Sequence, residues 1–169
     1  SGTDLEADLK RAAAEAEAFA KDYEGRIASL GGKELGAAIA RFEALSDRMG
    51  RIGSYASLYY AQDQADPERG RFSQNVSEKL TDIGTRLVFF RLELNKLEDA
   101  ELAEKQKAPE LARYAPWLRD LRVWRPHQLS DEMEKALHEK YVVGRAAWSR
   151  LFDETIARLR YPFGNEMLS

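Results

Sequence analysis

The chain has 169 residues, with 26 Lys plus Arg against 29 Asp plus Glu for a formal charge of −3; that balance argues against a nucleic-acid partner, because neutralising phosphates calls for a net basic surface. It contains no cysteine, which excludes zinc ribbons, redox CxxC pairs and disulfide scaffolds and fits a reducing, cytoplasmic setting. No apolar run approaches the ~20 residues of a membrane span, and the length suits one domain able to bury about 70% of its unfolded surface.

Leu9, Ala12, Ala16, Phe19, Tyr23, Ile27 and Leu30 fall at steps of three and four, so one apolar stripe runs along a first long helix. Thr3 or Asp4 can cap it, and Gly31-Gly32 is its expected stop. A second helix from near Lys33 carries Leu35, Ile39, Phe42, Leu45, Met49, Ile52, Ala56 and Tyr59, and Asp66-Pro67 ends that stretch and opens the next. The third is expected to run unbroken to about Leu97 with Phe72, Val76, Leu80, Ile83, Leu87, Phe90 and Leu94 on its stripe. Leu87, Val88, Phe89 and Phe90 put apolar groups all round one turn, which must be covered from more than one side.

Beyond Leu97 the segments shorten. Pro109 and Pro116 begin or restart short helices, Arg125-Pro126 ends one, and Ser130 is a good N-cap with Asp131 and Glu132 in the first turn behind it. Gly144 separates that helix from a last one carrying Trp148, Leu151, Phe152, Thr155 and Leu159, before an extended tail. The pattern predicts an all-α single domain over residues 1–169: long antiparallel up-down-up helices over about 3–98, shorter kinked helices over about 99–160, and a short extended tail over 161–169.

No complete catalytic set is present. His127 and His138 are the only imidazoles and lie too far apart for the i, i+4 pair of a zinc helix, so catalytic and metal-ligating residues are read as none. Arg113, Arg119, Arg122 and Arg125 beside Trp117 and Trp124 form a cationic, aromatic run able to receive a peptide terminus. The alternative is an internal clasp of Arg, Trp and Asp120 that ties the kinked segment to the long helices. Tyr55, Tyr59 and Tyr60 either line a substrate channel or form a helix interface with hydroxyls in water. Tyr55, Tyr59, Tyr60, Arg122, Arg125 and His127 are thus the candidate peptide contacts.

Three blocks stand out together: YASLYYAQDQADP (55–67), RLVFFRLELNKLEDAEL (86–102) and RYAPWLRDLRVWRPHQLSDEMEKALHEKYVVGRAAWSRLFDETIARLRYPF (113–163). In this order and spacing they resemble the N-terminal region of the oligoendopeptidase F family of zinc metallopeptidases, within the thimet oligopeptidase-like superfamily. One departure is Val143, where the family often has a threonine ahead of the glycine of GRAAW. The resemblance implies a bacterial, cytoplasmic parent that cuts short peptides with an HEXXH-bound zinc lying beyond residue 169. This chain would then be a non-catalytic wall of the channel, inactive alone, with no cofactor of its own. Its expected partners are the parent's catalytic domain, short peptides in the parent, and further copies of itself through apolar surface exposed around Phe89, Phe90 or the last helix. The competing reading is a free-standing helical interaction module without peptidase activity.

Overall fold

The computed structural model describes residues 2–164 and 166–168; Ser1, Asn165 and Ser169 lie outside it. Helix α1 (Gly2–Tyr23) begins early enough that Thr3 and Asp4 fall inside its first turn, and it ends well short of the expected Gly31-Gly32 stop. The cause is Gly25, whose φ of +75° is a left-handed geometry that glycine enters without steric cost. The turn is fixed from a distance: the Gly25 and Ile27 amides donate to the Glu93 carboxylate at 2.7 and 3.3 Å. A short 3₁₀ turn (Ile27–Ser29) then leads into α2 (Gly32–Ala61), where Glu34 Oε2 accepts from the Gly31 amide at 2.8 Å.

Helix α3 (Pro67–Thr85) opens on an Asp66 cap, with Oδ1 accepting from the Glu68 amide at 2.8 Å. The third long helix is not continuous. It breaks at Arg86-Leu87, and a separate helix α4 (Val88–Lys96) follows. Thr81 and Thr85 both donate their hydroxyls back to carbonyls one turn earlier at 2.9 Å, an arrangement that bends helices. Leu87 and Phe90 then bond three residues back, to Gly84 and Leu87, in the tighter 3₁₀ manner.

The ion pairs give the topology. Arg41–Asp22 and Arg48–Glu15 match the start of α2 to the end of α1, whereas Lys79–Glu6 and Arg86–Glu17 run in step, so α1, α2 and α3 go up, down and up. The buried stripe of α2 continues through Tyr60 rather than Tyr59. Between the three helices sits an aromatic centre. Phe90 is 0% exposed, edge-on to Phe19 at 5.1 Å and 4.8 Å from Phe42, with Phe89 buried beside it. The all-round apolar turn is therefore covered within this chain, which corrects the expectation that Phe89 and Phe90 form exposed surface.

The remaining segments wrap that centre. Helix α5 (Asp99–Lys105) and a 3₁₀ stretch (Pro109–Tyr114) cross the start of α2, where Lys105 Nζ donates to the Ala28 and Leu30 carbonyls at 2.8 and 2.6 Å. Pro116 sits in the first turn of α6 (Ala115–Val123), whose Leu118 is buried. A 3₁₀ turn (Arg125–His127) leads to α7 (Asp131–Lys140), capped as expected by Ser130, whose Oγ accepts from the Met133 amide at 3.4 Å. Helix α8 (Arg145–Arg158) has Gly144 at its N-cap and no side-chain cap, consistent with Val143 in place of threonine. The tail is an antiparallel hairpin of β1 (Tyr161–Phe163) and β2 (Glu166–Leu168), with Pro162 opposite Met167.

Candidate functional site

Of the arginine run, Arg122 is held inside the protein, whereas Arg113 and Arg119 are exposed. Arg122, with its side chain 14% exposed, donates to the Leu94 and Asn95 carbonyls at 3.2 and 3.0 Å and also bonds the Asp99 carboxylate. It adds a charged donor to carbonyls in the last turn of α4, a position that favours a cation. Arg125 reaches Glu98 at 3.3 Å and Asp99 at 3.4 Å. The clasp of Arg, Trp and Asp120 expected from sequence is not the one observed: Arg122 and Arg125 take Asp99 and Glu98 as their acids, and Asp120 accepts from its neighbour Arg119. Arg113 and Tyr114 close a second tie, both donating to Glu43 of α2, at 2.6 and 3.0 Å.

Arg122 holds the Asp99 carboxyl below the ordinary carboxylate range, first by hydrogen bond and then by charge, with Arg125 adding to it. A depressed folded value means that this share of stability is present above the ordinary range and is lost as pH falls through the lowered one. We expect Arg122→Ala to destabilise by about 1.5–3 kcal/mol near neutrality through its hydrogen bonds. The gap from the parent sequence should narrow on acidification to about pH 3, near where carboxylates protonate. Urea denaturation at both pH values checks this.

The tyrosines divide. Tyr55 and Tyr59 are exposed and stacked at 6.4 Å, both edge-on to Phe72, and the Arg69 guanidinium lies 4.5 Å from the Tyr59 ring. Tyr60 turns inward, and its hydroxyl is buried without a partner. Burial pushes its phenol above the ordinary value, with Glu154 and Asp153 of α8 adding to the effect. These rings therefore do not share one surface.

His127 does belong to a concavity, a groove of about 700 Å³ bounded by α2, α4, α6 and α7. Phe42, Leu87 and Leu121 give it an apolar floor, and Trp124, His127 and Tyr141 stand along its rim. His138 is exposed but also presses on the backbone across the groove: a Cβ at Gly84 would lie 2.8 Å from its Nε2. Sequence reasoning missed Arg91, Asn95 and Gln128 in the lining. The available signal was Asn95 itself, a polar residue inside the apolar run of α4 and buried at 6% exposure. A second cleft, between α1 and α2, is lined by Asp8, Arg11, Asp47 and Arg51, which pair among themselves.

Among the described residues, no group of three or more His, Cys, Asp or Glu side chains is placed to hold a metal ion. The zinc implied by the family resemblance therefore finds no fitting ligand set in them. No helix of the described residues is long and apolar enough to cross a membrane.

The second surface feature is α8. Trp148 (71% exposed), Leu151, Phe152 (65%), Ile156 and Leu159 fall at helical spacing on one side and face solvent, and Met133 and Leu137 of α7 are also exposed. Polar attachment of α8 to the rest is thin: Arg150 bonds Gln74 of α3. Contiguous apolar surface of this kind marks an interaction site in soluble proteins.

Comparison with known proteins agrees with this picture. Residues 93–161 match the family model described as Oligopeptidase F. The fold is similar to the crystal structure of oligoendopeptidase-F from Enterococcus faecium, with a TM-score of 0.83 and 20% identity over 99% of this chain. The match spans 34% of that protein's chain, about a third of its length. No curated protein matches the sequence.

Proposed function

We propose, from the premise that residues 93–161 carry the oligopeptidase F pattern on an oligoendopeptidase-like fold, that this chain is the non-catalytic N-terminal helical domain of a zinc metalloendopeptidase acting on short peptides. The observation that carries the reading is the exposed apolar face of α8. A helix with Trp148 and Phe152 in water has more to gain from burial than its own domain provides, and each large side chain fully buried contributes about 1.5–3 kcal/mol. The rest of a longer chain, two thirds of the length in the matched relative, is the surface that would cover it.

On this reading the chain does no bond-breaking. Its residues build one wall of a shell: the aromatic centre around Phe90 keeps the wall rigid, Arg122 fixes α6 against α4 through the Leu94 and Asn95 carbonyls and against α5 through Asp99, and α8 joins the wall to the catalytic portion. A wall of this type restricts which substrates reach a reactive centre and excludes water from it. The zinc, which when bound polarises the scissile carbonyl, belongs to that other portion.

The test compares hydrolysis of an internally quenched fluorogenic oligopeptide, with zinc added, by the purified 169-residue chain and by a longer gene product containing it. Turnover is expected from the longer product alone, and chelator-sensitive turnover by the purified chain overturns the reading. Phe152→Glu adds a second readout. In the isolated chain it should change stability by no more than about 0.5 kcal/mol, as exposed substitutions do, whereas in the longer product it should lower activity and yield together.

A further inference from the structure

The groove bounded by α4, α6 and α7 carries features that neither a wall nor a docking face needs. Arg91 lines it and, among the described residues, has no carboxylate partner; its guanidinium lies 5.7 Å from the Phe42 ring. The acid in the lining, Glu134, is already engaged, accepting from the Leu129 amide at 2.9 Å. The groove thus offers one guanidinium with no carboxylate partner among the described residues, and one carboxylate, Glu134, that a backbone amide holds at the α7 end of the lining. Two amide oxygens of the lining, Asn95 Oδ1 and Gln128 Oε1, are buried without a donor. The Gln128 amide is oriented, since its Nε2 donates to the Leu92 carbonyl at 3.5 Å, so the orphan oxygen is an acceptor by assignment. Native proteins satisfy most buried polar atoms, and two unsatisfied acceptors in one lining call for an incoming donor.

We propose that this groove binds the carboxyl end of a peptide whose last side chain is large and apolar. The side chain packs on Phe42, Leu87 and Leu121 against the rim indole of Trp124. The terminal carboxylate meets Arg91, whose planar fork matches it with two parallel hydrogen bonds. Small shifts of Asn95 and Gln128 then bring their oxygens to the peptide N–H groups. The volume of about 700 Å³ lies in the range of small-ligand sites. A fatty acid supplies the carboxylate and the apolar chain but no N–H donor; a peptide ending in lysine supplies the donors but no apolar end. The inference rests on the peptidase-wall reading for the ligand class only.

The probe is N-acetyl-Ala-Ala-Phe with a free carboxylate, titrated into the 169-residue chain by calorimetry and tryptophan fluorescence. Its carboxamide, the Ala-Ala-Lys analogue and decanoate are the comparisons. The free acid should bind about tenfold more tightly than the carboxamide, the scale of one charge-assisted contact. Arg91→Gln should lose that tenfold for the acid and nothing for the amide, with unchanged far-UV circular dichroism. Equal binding of acid and amide, tighter binding of decanoate, or no binding at all overturns the proposal. None of those results bears on hydrolysis by a longer product; conversely, tripeptide binding beside an inactive longer product overturns the wall reading and leaves this one standing.

Discussion

Phe90→Ala should lower the unfolding free energy of the chain by about 3–5 kcal/mol, the cost of emptying a fully buried aromatic site. Phe90 is touched from three sides, by Phe19 at 5.1 Å, Phe42 at 4.8 Å and Phe89 at 6.3 Å, and no helix can close on the space without moving the others. Domains are commonly stable by only about 5–15 kcal/mol, so the variant should sit near the edge of folding. Phe152→Ala, on a face that is 65% exposed, should stay within about 0.5 kcal/mol. Urea denaturation of both variants reads the contrast. Similar losses at the two positions would mean that the aromatic centre is not where the chain's stability lies.

That contrast was only partly legible in the sequence. Both phenylalanines stand on apolar stripes, and periodicity assigns a face without saying whether another element covers it. For α1 to α3 the stripes gave the right partners, because adjacent long helices joined by short turns have few other ways to bury them. The breaks were harder. Gly25 lies within the stripe expected to run on to Gly31-Gly32, yet it ends α1 because Glu93, remote in sequence, accepts from the amides that the turn exposes. The interruption at Arg86-Leu87 follows from hydroxyl bonds at Thr81 and Thr85 that compete with a helix the propensities favour.

In the site region, the reason for misreading was similar. Arg122 and Trp124 were legible as a cationic, aromatic pair, but the acid that takes Arg122 is Asp99, on a short helix whose position depends on how α5 folds back. Arg91 was invisible as a groove residue because nothing in its neighbourhood marks it off from the other exposed arginines; only the approach of α6 and α7 does so. Ser130, by contrast, was read correctly, since a cap is a local arrangement that the residue and the next three determine.

The second large effect concerns glycines of one helix and has opposite signs along it. Gly32→Ala is expected to destabilise by about 3 kcal/mol, the upper range for forcing extra volume into a packed site. Its Cβ would collide with the Lys105 carbonyl oxygen and stand 2.6 Å from the Ala108 Cβ. The carbonyl cannot simply retreat, because the same residue is anchored through Nζ to the Ala28 and Leu30 carbonyls at 2.8 and 2.6 Å. Gly36→Ala should act in the same direction, with its Cβ 2.7 Å from that of Glu110. Gly50→Ala, in the same helix with nothing within 4 Å of the added methyl, should instead stabilise by about 0.8–1 kcal/mol through helix propensity alone. Denaturation midpoints give the signs, and hydrogen exchange locates the damage: Gly32→Ala should release amides between residues 99 and 114 before those of α3. A helix tolerates glycine anywhere at a similar cost, so only the crossing of α5 and the 3₁₀ stretch over the start of α2 distinguishes these positions. If all three substitutions stabilise the chain, that crossing is not packed as the backbone distances require.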